Sequence, residues 1–188
     1  EVGAVEPFER RAARGSGWTR VEWQRPLAAA GVALAVAACV VLVLAFRDPD
    51  LTYRVVNGQE IAGTVSGGAD TRIHFSDGSE VALSRGAEAK VEDLGAHGGH
   101  VDLETGKLRV SIEKTPESAW SVGAGPYTIH VEGTSFDVRW SKEERSLEVA
   151  LYSGSVVVTG PNAGSGYSLR PGQRLRARAD APLVVESD

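Results

Sequence analysis

From Asp70 onward, apolar and polar residues alternate with a period of two along most of the chain. Such alternation is typical of strands that bury one face and expose the other. No segment after Phe46 keeps the 3.6-residue period of an amphipathic helix. The pattern predicts an all-β domain of many short antiparallel strands, sandwich- or solenoid-like. Its apolar positions are Ile73/Phe75, Val81/Leu83, Val101/Leu103, Leu108/Val110/Ile112, Ile129/Val131, Phe136/Val138/Trp140, Leu147/Val149/Leu151 and Val156/Val158.

Glycine-containing pairs separate these segments at short intervals. Glycine adopts the positive φ angles that tight turns require. Many short strands with closely spaced turns favour a sandwich, barrel or solenoid and argue against βαβ units. The predicted turns are Asp77-Gly78, Gly98-Gly99, Thr105-Gly106, Gly123-Ala124-Gly125, Ser153-Gly154 and Pro171-Gly172.

Gly133-Thr134 interrupts the alternating stretch "VEGTSFDVRW" without any reacting group nearby. A glycine inside a strand pattern often marks a bulge or a bend. We therefore predict that strand 126–132 leaves one layer here and that strand 134–140 enters the next. Phe136, Val138 and Trp140 would then point into the core.

One long apolar segment, 26–46, precedes the alternating region. Its 21 residues carry no charge, amide or hydroxyl group, and about 20 apolar residues suffice to cross a bilayer as a helix. Pro26 fits the first helical turn, and the span from Pro26 to Phe46 is bounded by Arg25 and Arg47. The sequence predicts a short Arg-rich segment over 1–25, a transmembrane helix over 26–46, a linker with first strands over 47–70 and an all-β domain over 71–188.

The orientation of this membrane anchor follows from the flanking arginines. Five precede the span, whereas only Arg47 and Arg54 follow it closely. The positive-inside rule puts the N-terminus in the cytoplasm, so in a bacterium the anchor lies in the inner membrane and the β domain in the periplasm. A cleaved signal peptide fits less well because its apolar core is shorter, about 7–15 residues. A lipoprotein box at Val36–Cys39 fits less well because the following residues stay apolar.

The composition sets broad limits on function. The chain has 188 residues and a net charge of −5, and it shows no basic patch interleaved with aromatics, which argues against nucleic-acid binding. Residues 47–188 hold 15 basic and 21 acidic residues, an ordinary balance for a soluble surface. Met is absent and the first residue is Glu1, so the chain is expected to be part of a longer product.

No catalytic, cofactor-binding or metal site is predicted. His97 and His100 in "HGGH" have a spacing that a metal could use, but a site needs further ligands, and a solvated glycine turn is favoured. "SIEK", from Ser111 to Lys114, formally matches a nucleophile motif, but on a strand residues three apart face opposite sides. The scattered carboxylates suggest no acid/base pair. We predict a non-enzymatic protein without a cofactor.

Six segments, in order and spacing, resemble the FecR family of periplasmic sensor domains, from about Ile73 to Leu175. The resemblance includes the Asp77-Gly78 turn, an alternating strand entered by Gly106, the Val-x-Gly-Thr-x-Phe-x-Val core at 131–138, and closing elements with Gly154 and Gly172. The segments are "FSDGSEVAL", "VDLETGKLRVSI", "AWSV", "IHVEGTSFDVRW", "LEVALYSGSVVV" and "LRPGQRL". "AWSV" stands where the family usually has a Pro-Phe pair followed by Val.

The resemblance implies envelope signalling by protein–protein contact. FecR-type regulators sense an occupied outer-membrane transporter and bind a cytoplasmic sigma factor through their N-terminal region, acting as anti-sigma factors. Such regulators carry a longer cytoplasmic region than the 25 residues before Pro26. One alternative is therefore a periplasmic scaffold or assembly module without a sigma-factor partner. Another is a glycan-binding domain with a stacking face of Tyr127, Trp140, Tyr152 and Tyr167.

Overall fold

The computed structural model of the chain describes residues 48–187 and, outside them, only Cys39. In this described part, no helix is long and apolar enough to cross a bilayer. The predicted span 26–46 lies outside the described residues, apart from Cys39, and so do its predicted boundary residues Arg25, Pro26, Phe46 and Arg47.

Residues 48–187 contain thirteen strands and no helix, which confirms the all-β prediction for this part of the chain. The predicted linker region 47–70 already holds three of them. The strands are β1 Tyr53–Val56, β2 Gln59–Ile61, β3 Thr64–Ser66, β4 Thr71–Phe75, β5 Glu80–Leu83, β6 Glu88–Glu92, β7 His100–Ser111, β8 Trp120–Ala124, β9 Tyr127–Ser141, β10 Ser146–Thr159, β11 Tyr167–Leu169, β12 Gln173–Arg178 and β13 Ala181–Ser187.

Strand pairing joins all thirteen strands in one sheet. Within this sheet, the order of hydrogen-bonded neighbours follows two separate series of strands or parts of strands. The first series runs β2-β3-β6-β7-β8-β9-β10-β11, and the second runs β1-β4-β5-β7-β9-β10-β12-β13. We call them the first layer and the second layer. The three long strands β7, β9 and β10 contribute to both: in β9, residues 127–131 pair with β8, whereas residues 135–140 pair with β7.

Glycines with positive φ lie where the long strands pass from one layer to the other. The φ angles are 98° at Gly106 in β7, 58° at Gly133 in β9 and 83° at Gly154 in β10. The register between β9 and β10 shifts twice around the last two glycines, as in a β-bulge. A Cβ at Gly154 would lie 2.3 Å from the Gly133 oxygen, and a Cβ at Gly133 would lie 2.4 Å from Lys114 Cβ. The two bends therefore stack directly on each other and have no room for a side chain.

The structure differs from the sequence prediction in strand length and direction. Thr105-Gly106 and Ser153-Gly154 are not turns but lie inside β7 and β10, which have 12 and 14 residues. A positive-φ glycine serves a bend as well as a turn, and only the pairing partners distinguish the two. In addition, β7 and β8 pair in parallel, whereas every other pair of the described strands is antiparallel.

The inward-facing side chains of both layers meet in a single hydrophobic core. Phe75 of the second layer contacts Trp120 of the first, with ring centroids 4.6 Å apart in an edge-on arrangement. Phe136 and Val138 are fully buried in this core. Because the core takes one side of each layer, the opposite sides form two outer faces.

Candidate protein-interaction surfaces

The outer face of the second layer is rich in basic residues, and we call it the basic face. Its strands follow the alternation, so that residues between the buried ones point away from the core. It carries eight basic and four acidic side chains, although the chain as a whole is acidic. They are Arg54, Arg72, Lys107, Arg109, Arg139, Arg174, Arg176 and Arg178, with Glu80, Asp137, Glu148 and Glu186, and His74 lies among them.

The outer face of the first layer has the opposite charge, and we call it the acidic face. Five acidic side chains lie there with one lysine and two histidines. They are Glu88, Glu92, Asp102, Glu104 and Glu132, with Lys90, His100 and His130. The basic face has a surplus of four positive charges and the acidic face a surplus of four negative charges, with the histidines neutral.

A buried carboxylate, Asp137, organises the centre of the basic face. Its side chain is only 7% exposed and accepts a bond from Lys107 Nζ at 2.6 Å. Arg109 donates from Nε at 2.8 Å and from Nη2 at 3.2 Å, and Tyr152 donates its hydroxyl at 2.9 Å. Arg109 also lies over the Tyr152 ring, 5.8 Å from its centroid, a cation–π distance. The four residues form the Asp137 cluster, which ties β7, β9 and β10 together.

Protonation of Asp137 reflects two opposing effects. Burial of the carboxylate raises its pKa, but the bonds from Arg109, Lys107 and Tyr152 outweigh burial and lower the pKa to about 2. Asp137 is therefore charged at neutral pH, and its charge holds Lys107 and Arg109 in fixed positions. Beside the cluster lies a polar cleft of about 160 Å³ that Arg139 and Arg174 also line.

Asp102 occupies a comparable position on the acidic face. Burial raises its pKa, the nearby His100 lowers it, and the like charges of Glu92 and Glu104 raise it further, so the net shift is upward. Lys90 is paired with Asp102 across the strands, but its ammonium group bonds Glu92 instead.

The two histidines of "HGGH" are held apart by different partners. His97 Nε2 lies 3.1 Å from Glu117, whereas His100 Nδ1 lies 2.8 Å from the Ser121 hydroxyl. Within residues 48–187, no group of three or more His, Cys, Asp or Glu side chains is placed to hold a metal ion.

Residues 63–157, just over half of the chain, match the model of the family described as FecR protein. The chain belongs to the FecR family. This match covers the stretch from the turn before β3 into β10 as far as Val157, including the strand segments that form the Asp137 cluster. None of the curated proteins compared with the chain matches it.

The fold of this FecR domain is similar to two crystal structures of a protein named "putative anti-sigma factor" from Parabacteroides distasonis ATCC 8503. One, at 2.50 Å resolution, has 20% sequence identity and a TM-score of 0.57, and the other, at 1.65 Å, has 19% and 0.56. Each alignment covers 73% of this chain and 60% of that protein. At such identity the likeness shows the fold alone, and the chain spans about 60% of the length of these structures.

In the FecR domain, the Asp77-Gly78 turn does more than connect two strands. Asp77 accepts bonds from the Ser79 amide and hydroxyl, both at 2.9 Å, and from the Trp120 indole N–H at 3.0 Å. The Ser79 hydroxyl in turn accepts the Glu113 amide at 3.2 Å. The turn thus satisfies the polar atom of a core tryptophan 43 residues away.

The other motif residues predicted from the sequence are distributed over turns, bends and core of the FecR domain. Thr134 is buried, its carbonyl accepts the Ile112 amide at 2.8 Å, and its hydroxyl has no partner among the described residues. Gly172 lies in the turn before β12, where its amide donates to the Leu151 carbonyl at 2.9 Å. Gly78 lies in the β4–β5 turn, Gly106, Gly133 and Gly154 lie at the layer transitions, and Phe136 and Val138 lie in the core.

The proposed aromatic stacking face does not form. Tyr127 and Trp140 are 1% and 5% exposed and pack edge-on in the core, with centroids 6.2 Å apart. Tyr152 is exposed on the second layer and Tyr167 on the first.

Sequence reasoning missed the Asp137 cluster, although one signal for it exists. Asp137 stands between Phe136 and Val138, so alternation places it on the outer face, yet no local feature shows which cations reach it. Arg109 lies 28 residues away and Tyr152 lies 15 residues away. Only the strand register brings them together.

Proposed function

We propose that this FecR-family chain is an envelope signalling regulator. Residues 26–46 anchor it in the bacterial inner membrane, residues 1–25 lie in the cytoplasm and the β domain lies in the periplasm. It relays a periplasmic signal to a cytoplasmic sigma factor by protein–protein contact. The observation that carries this proposal is the family match over residues 63–157, and the fold shared with a protein named as a putative anti-sigma factor supports it.

The surface of the β domain fits a binding role better than catalysis. Its polar features include two charged sheet faces, and the most buried charge on them, Asp137, is neutralised by Lys107 and Arg109. Arginine and tyrosine, which frame this cluster, are enriched among the residues that dominate binding at protein interfaces. Signal relay then consists of a change in the domain's contacts. The contacted partner is the signalling domain of an outer-membrane transporter or another envelope protein.

Cross-linking and mass spectrometry of the full-length protein in its own membranes tests the proposal. We expect a sigma factor to be cross-linked to residues 1–25, and we expect its recovery to be lost when residues 1–20 are deleted. Recovery of envelope proteins alone, unchanged by the deletion, would overturn the regulator assignment in favour of a scaffold.

The proposed topology has its own test, which exploits Cys39 as the only cysteine of the chain. In a Cys39→Ser background, Glu143→Cys in the exposed β9–β10 loop should react with a membrane-impermeant maleimide in spheroplasts. The matched variant Gly3→Cys should react only after the membrane is permeabilised. The reverse labelling order would refute the predicted orientation.

A further inference from the structure

Several charges on the two outer faces have no ion-pair partner within residues 48–187. On the basic face, Glu148 pairs with Arg174 and Glu186 pairs with Arg176. On the acidic face, Lys90 pairs with Glu92, and Glu104 pairs with Lys142 of the β9–β10 loop. The unpaired charges are Arg54, Arg139 and Arg178 on the basic face and Glu88, Asp102 and Glu132 on the acidic face.

From this complementarity we propose that the basic face of one copy of this chain binds the acidic face of a second copy. The proposal goes beyond the proposed signalling function and does not depend on it. The charge surplus of one face equals that of the other and is opposite in sign. Complementary potentials of this kind steer association and set its orientation.

The two faces also match in size. Each layer contains eight strand segments, and at about 4.8 Å between strands each face is about 34 Å wide. A face of that width, several residues deep, has the area of a standard protein interface, about 800 Å² per partner.

The side chains at the centre of each face suit such a contact. The Asp137 carboxylate holds Lys107, Arg109 and Tyr152 in place, so less side-chain entropy is lost when a partner binds. On the opposite face, Asp102 accepts no hydrogen bond from residues 48–187, and its charged neighbours are Glu92 and Glu104 on one side of the balance and His100 and Lys142 on the other. A guanidinium group such as that of Arg139 from a second copy would supply the hydrogen-bond donor that Asp102 lacks.

A contact between two different faces is heterologous, and this has a consequence for assembly. Every copy that uses its basic face still presents its acidic face, so the contact extends to a row or closes into a ring. Because the contact depends on exposed charges, it weakens as salt shortens the screening length from about 10 Å at 0.1 M to about 3 Å at 1 M.

Light scattering of the full-length chain in detergent micelles tests the proposal with two complementary variants. Arg54→Glu/Arg139→Glu lowers the positive charge surplus of the basic face from four to zero, and Glu88→Lys/Glu132→Lys lowers the negative charge surplus of the acidic face from four to zero. We expect the wild type to associate at low salt, with at least about a tenfold weaker apparent Kd at 1 M salt. Each variant alone should be monomeric, and an equimolar mixture should form a dimer that does not extend, because each chain keeps one intact face. Arg85→Glu, in an exposed turn off both faces, is the control and should associate like the wild type.

The mixing experiment separates this arrangement from its alternatives. A two-fold symmetric contact of one face with itself would persist in one variant and gain nothing from mixing, which would overturn the proposal. A wild type that stays monomeric at low salt, or that instead binds nanodiscs of anionic lipid through the basic face, would overturn it as well. Circular dichroism of each variant confirms that loss of association is not loss of fold.

Discussion

Asp137 and Asp102 lie at corresponding places on the two outer faces, yet their surroundings shift their pKa values in opposite directions. Burial opposes the charge of both. At Asp137, bonds from Arg109, Lys107 and Tyr152 overcome burial and lower the pKa to about 2. At Asp102, burial and the neighbouring acids Glu92 and Glu104 prevail over His100 and Lys142, and the pKa rises.

The comparison shows that alternation places a carboxylate on an outer face, whereas cross-strand neighbours decide what its charge does there. On the basic face, the carboxylate of Asp137 is bound by Lys107 and Arg109 of the same face and holds them in place. The acidic face leaves its carboxylate available to a cation from outside, which is the feature that the proposed self-association uses.

The largest effect on stability is expected where β9 crosses from the first layer to the second layer. Gly133→Val should cost about 2–5 kcal/mol of unfolding free energy, because the left-handed conformation costs about 1–2 kcal/mol and overpacking adds about 1–3. Denaturant unfolding of residues 48–188 measures it. Gly172→Val is the matched control: its φ is 81°, but a Cβ there meets nothing within 4 Å, so only the backbone strain should appear. Equal losses for the two variants would contradict the stacked-bend explanation.

The next largest effect is a difference in stability between alanine variants of the two aspartates. Asp137→Ala leaves Lys107 and Arg109 side by side without their anion and should cost about 2–3 kcal/mol. The equivalent change Asp102→Ala should cost much less, because no described side chain donates a hydrogen bond to Asp102. Thermal unfolding of both variants at pH 7 makes the comparison, and a similar drop in Tm for both would remove the distinction between the faces.

The pH dependence of stability should differ in sign between the same two residues. Asp137 has a lowered folded pKa of about 2, so its stabilisation is present above the unfolded pKa of about 4 and is lost as pH falls from about 4 toward 2. Asp102 has a raised folded pKa, so it destabilises the folded state above that pKa, and acid relieves the cost. Tm curves from pH 2 to 7 should therefore flatten at the acid end for Asp137→Asn and lie at or above wild type at neutral pH for Asp102→Asn. Parallel shifts of both curves would reject this assignment.

The smallest expected change in stability is that of a substitution on the acidic face, measured at pH 7 and low salt. Asp102→Asn keeps the shape of the side chain and removes its unfavourable charge, so stability should stay unchanged or rise by about 0.5 kcal/mol. Adding salt should diminish any gain by screening Glu92 and Glu104. A clear loss of stability would show that Asp102 has a favourable partner that its surroundings on the acidic face do not reveal.

The local alternation of apolar and polar residues was sufficient to predict the strands and the residues of the core. Every apolar position of the eight alternating segments is buried, from Ile73 through Val158, because a strand that covers a core needs one apolar side regardless of its neighbours. The glycines were recognisable as special positions for an equally local reason. The sequence did not show whether a given glycine lies in a turn between two strands or at a bend within one strand. Gly106 and Gly154 lie at bends within β7 and β10.

What the sequence by itself determined is therefore the all-β class, the face of each strand that is buried and the family to which the chain belongs. Tertiary structure alone decided the passage of β7, β9 and β10 through both layers, the bond from Trp120 to Asp77 and the contacts of Asp137 with Arg109 and Tyr152. The physical reason is the separation of the interacting residues along the sequence. Alternation depends on residues two positions apart, whereas strand register brings together residues 15 to 43 positions apart. The separation of charge into a basic and an acidic face arises from that register, and so does the surface on which we expect this protein to bind its own copies.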